Sequence, residues 1–115
     1  MGFLANVFGK ATSTTEAVEV SEAQRRQQAG ALIVDVREPE EWREGHVAGA
    51  RHIPLGSLTA RLAELPRDQE ILTMCRSGNR SGRAQSLLQG QGFSAVRNVT
   101  GGIIAWERAG LPVQR

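Results

Sequence analysis

Hydrophobic positions in this chain come as short apolar runs alternating with helical stripes. Val18-Glu19-Val20 predicts a short strand. Ser21 then predicts a helix N-cap, with Gln24 three residues on completing a capping box and Gly30 ending the helix. Residues 31–36 (Ala-Leu-Ile-Val-Asp-Val) are an almost continuous apolar run of β-branched type, the pattern of a strand covered on both faces. Pro39 stands in the first turn of a short acidic helix through Glu44, where its missing N–H costs nothing, and Gly45 stops that helix. His52-Ile53-Pro54 is extended, and Leu58, Leu62 and Leu65 place a helix over 57–65. Residues 70–75 form a second buried-strand run. After a loop at 76–80, a helix over 81–89 buries Ala84, Leu87 and Leu88 and ends at Gly90 and Gly92. Residues 95–99 are another strand, and Gly101-Gly102 opens a last helix over 103–108, ahead of Gly110 and Pro112. This alternation predicts an α/β domain with a mainly parallel sheet and helices on both faces. The domain is expected over 18–115, with 1–17 as a tail because 9–15 is small, polar and without period.

Composition narrows the class. At 115 residues, 40% hydrophobic and 23% charged, the chain is one folded domain and too apolar to be disordered. Its single cysteine, Cys75, excludes an internal disulfide framework. His46 and His52 are the only other soft ligands, so a structural zinc site is not expected. No run approaches the roughly 18 apolar residues of a membrane span. The first eight residues lack the basic flank of a secretory signal, and Asn6 stands where a myristoylation signal carries Ser or Thr. Residues 3–8 are read as a frayed or docking turn rather than a membrane contact, and the expected setting is reduced and cytoplasmic. The net charge is +2, and every basic residue except Lys10 is arginine. These arginines are interspersed with glutamates, and no basic run alternates with aromatics, so no nucleic-acid partner is expected. Nothing in the pattern speaks to oligomeric state.

The chemistry concentrates at Cys75. In a parallel sheet, sites lie at the carboxyl ends of the strands, and Cys75 is the last residue of an apolar run leading into Arg76-Ser77-Gly78-Asn79-Arg80-Ser81-Gly82. Gly78 and Asn79 tolerate left-handed backbone, so the loop can curl with its N–H groups inward as an anion nest. The helix start at Ser81 adds unpaired N–H groups, and Arg76, Arg80 and Arg83 add full charges. All of these favour thiolate over thiol. A thiolate in an anion-binding cup could attack the sulfane sulfur of an anionic donor, leaving a persulfide, or could attack phosphate.

Cys75-Arg76-Ser77-Gly78-Asn79-Arg80-Ser81 resembles the active-site loop of single-domain rhodaneses, the thiosulfate sulfurtransferases. The resemblance extends to Ile33-Val34-Asp35-Val36-Arg37-Glu38, to Glu41-Trp42, and to the stretch from Gly45 to Pro54, which are similar to that family's N-terminal signature. Asn98-Val99, Gly101-Gly102 and Trp106 are similar to its C-terminal one. Together these cover about 18 to 113 in the family's order. Ala48 stands where the family usually has proline, and Trp42 where Phe or Tyr is common; both are read as packing changes. The resemblance implies a three-layer rhodanese-like sandwich and sulfur transfer through a Cys75 persulfide, with no metal or organic cofactor. Arg76, Ser77, Gly78, Asn79 and Arg80 would then bind the substrate. Its partners would be a small anionic sulfur donor and a cyanide or thiol acceptor. Related phosphatases and arsenate reductases of this fold carry one more residue between cysteine and arginine, so the loop length points to sulfur. A non-catalytic sulfur-carrier or docking module is the other reading.

Other polar residues are read more plainly. His46 is a hydrogen-bonded turn residue. Asp35 and Arg37 are expected on opposite surfaces, with Asp35 pinning a loop by accepting backbone N–H groups. Glu38, Glu40, Glu41 and Glu44 form a solvated helix face. Ile103 and Trp106 are core anchors, and Gly101-Gly102 lets the backbone pass close to the catalytic loop or turn sharply into the last helix.

Overall fold

A computed structural model describes residues 17–115; the expectations for 1–16 lie outside the described residues. In chain order the elements are β1 (Ala17–Val18), α1 (Val20–Gln28), β2 (Leu32–Asp35), α2 (Pro39–Glu44), β3 (His46–Val47) and β4 (Arg51–His52). They continue with β5 (Ile71–Met74), α3 (Asn79–Gly90), β6 (Val96–Val99), α4 (Gly102–Arg108) and β7 (Val113–Gln114). Two 3₁₀ stretches, Leu55–Ser57 and Thr59–Glu64, link β4 to β5.

The two apolar runs become the centre of a five-stranded parallel sheet ordered β1-β6-β5-β2-β4. Because side chains alternate along a strand, each run feeds two cores. Ile71 and Cys75 pack with Val34, Ala84 and Leu88 under α3, whereas Leu72 and Met74 pack with Ile33, Ile103 and Trp106 under α1 and α4. The result is the expected α/β sandwich: a parallel sheet with helices on both faces. Among the described residues no helix is long and apolar enough to cross a membrane.

Several local expectations change. The first strand covers Ala17–Val18 alone, and α1 starts at Val20 with Glu19 at its N-cap and no side-chain cap, so Ser21 lies inside the helix. Val20 is buried beside Ala23, and that burial sets the helix start. The capping box belongs to α2 instead, between Glu38 and Glu41, with Pro39 in the first turn as predicted. The predicted helix over 57–65 is 3₁₀ and kinked at Arg61; leucines at 55, 58, 62 and 65 sit three or four apart, and the tighter turn still buries Leu58 and Leu65. On α3, Leu87 is only half-buried, while Gln85 is buried and donates to the Val96 carbonyl. The antiparallel pair β3–β7 joins His46 to Gln114 and Val47 to Val113 and has no local signature in the sequence.

Candidate active site

Cys75 follows the last residue of β5, at the carboxyl end of the sheet and on its α3 side. Gly78 (φ 114°) turns the chain in the left-handed region and serves as N-cap of α3, so the helix begins at Asn79, two residues earlier than predicted. This turn aims the Gly78 N–H at Cys75 Sγ, 3.1 Å away, and the Ser81 hydroxyl lies 3.3 Å from the same sulfur. The other side of the loop is pinned by α4: Ile103 N–H donates to the Cys75 carbonyl at 2.9 Å and Ile104 N–H to that of Arg76 at 3.2 Å. A Cβ on Gly102 would overlap both carbonyl oxygens, so the close approach expected of Gly101-Gly102 is present. Thr73, two residues before Cys75, donates its hydroxyl to the Ser81 carbonyl at 2.9 Å and ties the start of the helix to β5.

The sulfur is buried, with 1% of the residue exposed. Burial by itself raises the thiol. Hydrogen bonds from the Ser81 hydroxyl and from the backbone N–H groups of Ser81, Gly78 and Ser77 outweigh it and hold Cys75 below the usual thiol range. The anion-stabilising groups at the sulfur are therefore backbone amides and one hydroxyl, and the guanidiniums take a lesser part than expected. Arg76 and Arg83 are exposed. Arg80 feels the Cys75 charge, yet its fork closes on Glu41, with N–O distances of 2.7 and 2.8 Å. Glu41 is thus no solvated face residue. Its carboxylate also accepts the Glu38 N–H, and the Arg80 guanidinium holds it down to about 2. The nearest signal in the sequence was its place as N3 of α2; its partner lies 39 residues on.

Ser77 and Asn79 are exposed, and Gly78 and Arg80 are half-buried. A cavity of about 300 Å³ opens beside the loop, with Arg37, Glu41, Arg76 and Glu107 in its wall; Cys75 is not part of that wall. Ser81 and Asn98 were not anticipated as site residues: Ser81 stands on the first turn of α3, and Asn98 on β6 meets it at 2.6 Å. Serine within a helix start after Cys-x₅ was visible in the sequence, but the strand register that delivers Asn98 was not.

Asp35 and Arg37 share a surface rather than opposing one another, since residues two apart on an extended chain point the same way. Arg37 Nη2 lies 2.8 Å from the Asp35 carboxylate, both side chains being almost fully buried, and it reaches on to the Gly45 carbonyl at 2.7 Å. Asp35 also accepts the Arg37 N–H, the loop-pinning contact expected of it. His46 is held in its turn by a bond between Nδ1 and the Trp42 carbonyl, and its ring stacks on Trp42 at 3.6 Å; His52 stacks on the same indole at 4.8 Å. The wider indole at 42 is therefore a stacking surface for both histidines.

Comparison with known proteins gives a consistent result. Residues 19–109 match the family described as Rhodanese-like domain. A sulfurtransferase of Allochromatium vinosum is 43% identical over 82 residues, 71% of this chain and 77% of that one. Thiosulfate sulfurtransferase GlpE of Pseudomonas putida is 39% identical over 89 residues, 77% of this chain and 80% of that one. Among solved structures, a rhodanese-related protein of Thermoplasma volcanium superposes with a TM-score of 0.81 at 30% identity, covering 86% of this chain and 97% of its own. Reduced CoADR-RHD of Bacillus anthracis gives 0.76 at 36% identity over 79% of this chain, which spans only 16% of that longer one.

Proposed function

This chain belongs to the rhodanese-like sulfurtransferase family, and from that premise we propose that it moves the sulfane sulfur of thiosulfate to a thiol or cyanide through a persulfide on Cys75. The observation that carries the reading is the convergence of the Gly78 N–H and the Ser81 hydroxyl on the sulfur of the chain's single cysteine, at the end of β5. The Cys75 thiolate attacks the outer sulfur of thiosulfate, a new S–S bond forms, and the bond to the sulfonate sulfur breaks. Sulfite leaves with that electron pair, and a Cys75 persulfide anion remains. Cyanide or a thiolate then attacks the terminal sulfur, and the Cys75 thiolate is restored with thiocyanate or an acceptor persulfide as product. Backbone amides of residues 76–80 stabilise the anionic persulfide, and those of Ser77 and Gly78 already serve the thiolate. Arg76, exposed at the mouth of the loop, draws the doubly charged donor by long-range attraction. A reducing compartment, the cytoplasm, suits a functional lone thiol.

Mass spectrometry after incubation with thiosulfate tests this. One sulfur mass is expected on the peptide that contains Cys75, removable by cyanide, and Cys75→Ser should fold normally and carry none. Sulfur loaded elsewhere, or none at all, overturns the assignment.

A further inference from the structure

Ser81 has one hydroxyl hydrogen and two acceptors in reach. Its Oγ lies 2.6 Å from Asn98 Oδ1 and 3.3 Å from Cys75 Sγ. The Asn98 amide has a set orientation: its Nδ2 donates to the Gly78 carbonyl at 3.1 Å, so the oxygen is the atom turned toward Ser81. An amide oxygen only accepts, and so does a thiolate. One hydrogen does not serve both.

We propose that Asn98 is a positioning residue that acts through Ser81, competing with the Cys75 sulfur for this single hydroxyl hydrogen. With the sulfur protonated, the S–H donates to Ser81 Oγ and Ser81 donates to Asn98. When the thiol proton leaves for a solvent base, the hydroxyl turns its hydrogen to Sγ, and Asn98 Oδ1 gives up its donor. Asn98 therefore favours the thiol and sets how much thiolate stands ready at neutral pH. Its second contact does not oppose this effect. The Gly78 carbonyl also accepts the Gly82 N–H at 3.1 Å, so Gly78 keeps a hydrogen bond to the first turn of α3 without Asn98. The charged groups around the sulfur are Arg76 and Arg80, Glu41 packed on Arg80, and the Asp35–Arg37 pair of the neighbouring strand. All of them are retained in the variants below, so differences report on the Ser81 hydrogen.

The inference rests on Cys75 being the sulfur that ionises for transfer, but its test needs no sulfur donor. Cys75 is the only cysteine, so the pH dependence of iodoacetamide alkylation of the full chain, read by intact mass, reports on that sulfur alone. Asn98→Ala should lower the pH midpoint by about half a unit to one unit, the worth of one neutral hydrogen bond. Ser81→Ala should raise it, and adding Asn98→Ala to Ser81→Ala should move it no further. A midpoint in Asn98→Ala that stays or rises, or that falls equally in both backgrounds, overturns the proposal. If Asn98→Ala does not fold, Asn98→Asp decides: as a stronger acceptor it should raise the midpoint more with Ser81 present than without. Equal shifts there overturn the proposal as well. Failure of thiosulfate loading with the alkylation pattern intact would instead count against the sulfur-transfer reading alone.

Discussion

Gly102 leaves no room for a side chain. Its φ of +57° and the carbonyl oxygens of Cys75 and Arg76, which a Cβ would overlap, make the clash one of backbone against backbone. A side-chain rotation cannot relieve it. Gly102→Ala should cost about 3 kcal/mol or more in urea denaturation, from overpacking and left-handed strain together. Because Ile103 N–H and Ile104 N–H are what hold the loop from this side, the surviving folded protein should also show an altered rate of Cys75 alkylation. The tight passage at Gly101-Gly102 was legible in the sequence as one of two uses, the other being a sharp turn into the last helix, and Gly101 makes that turn as its left-handed N-cap. The atoms that the pair approaches were not legible. Likewise Cys75 was legible as the candidate nucleophile from its place after an apolar run and before a glycine loop. That its stabilising donors are amides and Ser81, with Arg80 turned onto Glu41, depends on rotamers that no spacing encodes.

Helices α2 and α3 are tied by that Arg80–Glu41 fork, which joins the helix after β2 to the helix after the Cys75 loop. The Glu41 carboxyl titrates at about 2 in the folded chain, against an ordinary 4.5, so the folded state binds its proton less readily than the unfolded one. Its contribution to stability is then full above the unfolded value and is lost as pH falls through the folded one. Between about pH 5 and 2 the wild-type chain should lose stability more steeply than Glu41→Gln, which has no such proton to take up. Denaturation midpoints across that range measure the difference. Both side chains are about three-quarters buried, so Glu41→Gln should cost stability at neutral pH and little near pH 2. Element boundaries show the same division between local and distant causes. Pro39 fixes the start of α2 through its own ring, whereas α1 begins at Val20 because tertiary burial of that side chain outweighs the capping preference of Ser21.

Two cores share one sheet, and each central strand contributes to both: Ile71 and Leu72, neighbours on β5, lie in different clusters. Damage on one face should therefore propagate to the other. Trp106→Ala removes the largest fully buried side chain and should cost about 3–5 kcal/mol. That variant keeps Trp42 as its only tryptophan, stacked on His46 and His52. Its fluorescence and the far-UV circular dichroism should lose structure at one denaturant concentration, and separate midpoints would show two independent halves. At this scale the chain's pattern already contained the sandwich. Apolar runs bounded by helical stripes admit few arrangements, because each element must hide its greasy face and parallel neighbours need a crossover between them. Those constraints act over a handful of residues and leave their mark in period and composition. The meeting of Ser81 with Asn98, of Arg80 with Glu41, and of β3 with β7 leaves none. Each joins segments far apart in the chain, and the partners are chosen by sheet register, by the angle at which a helix leaves its loop, and by which rotamer the surrounding packing permits.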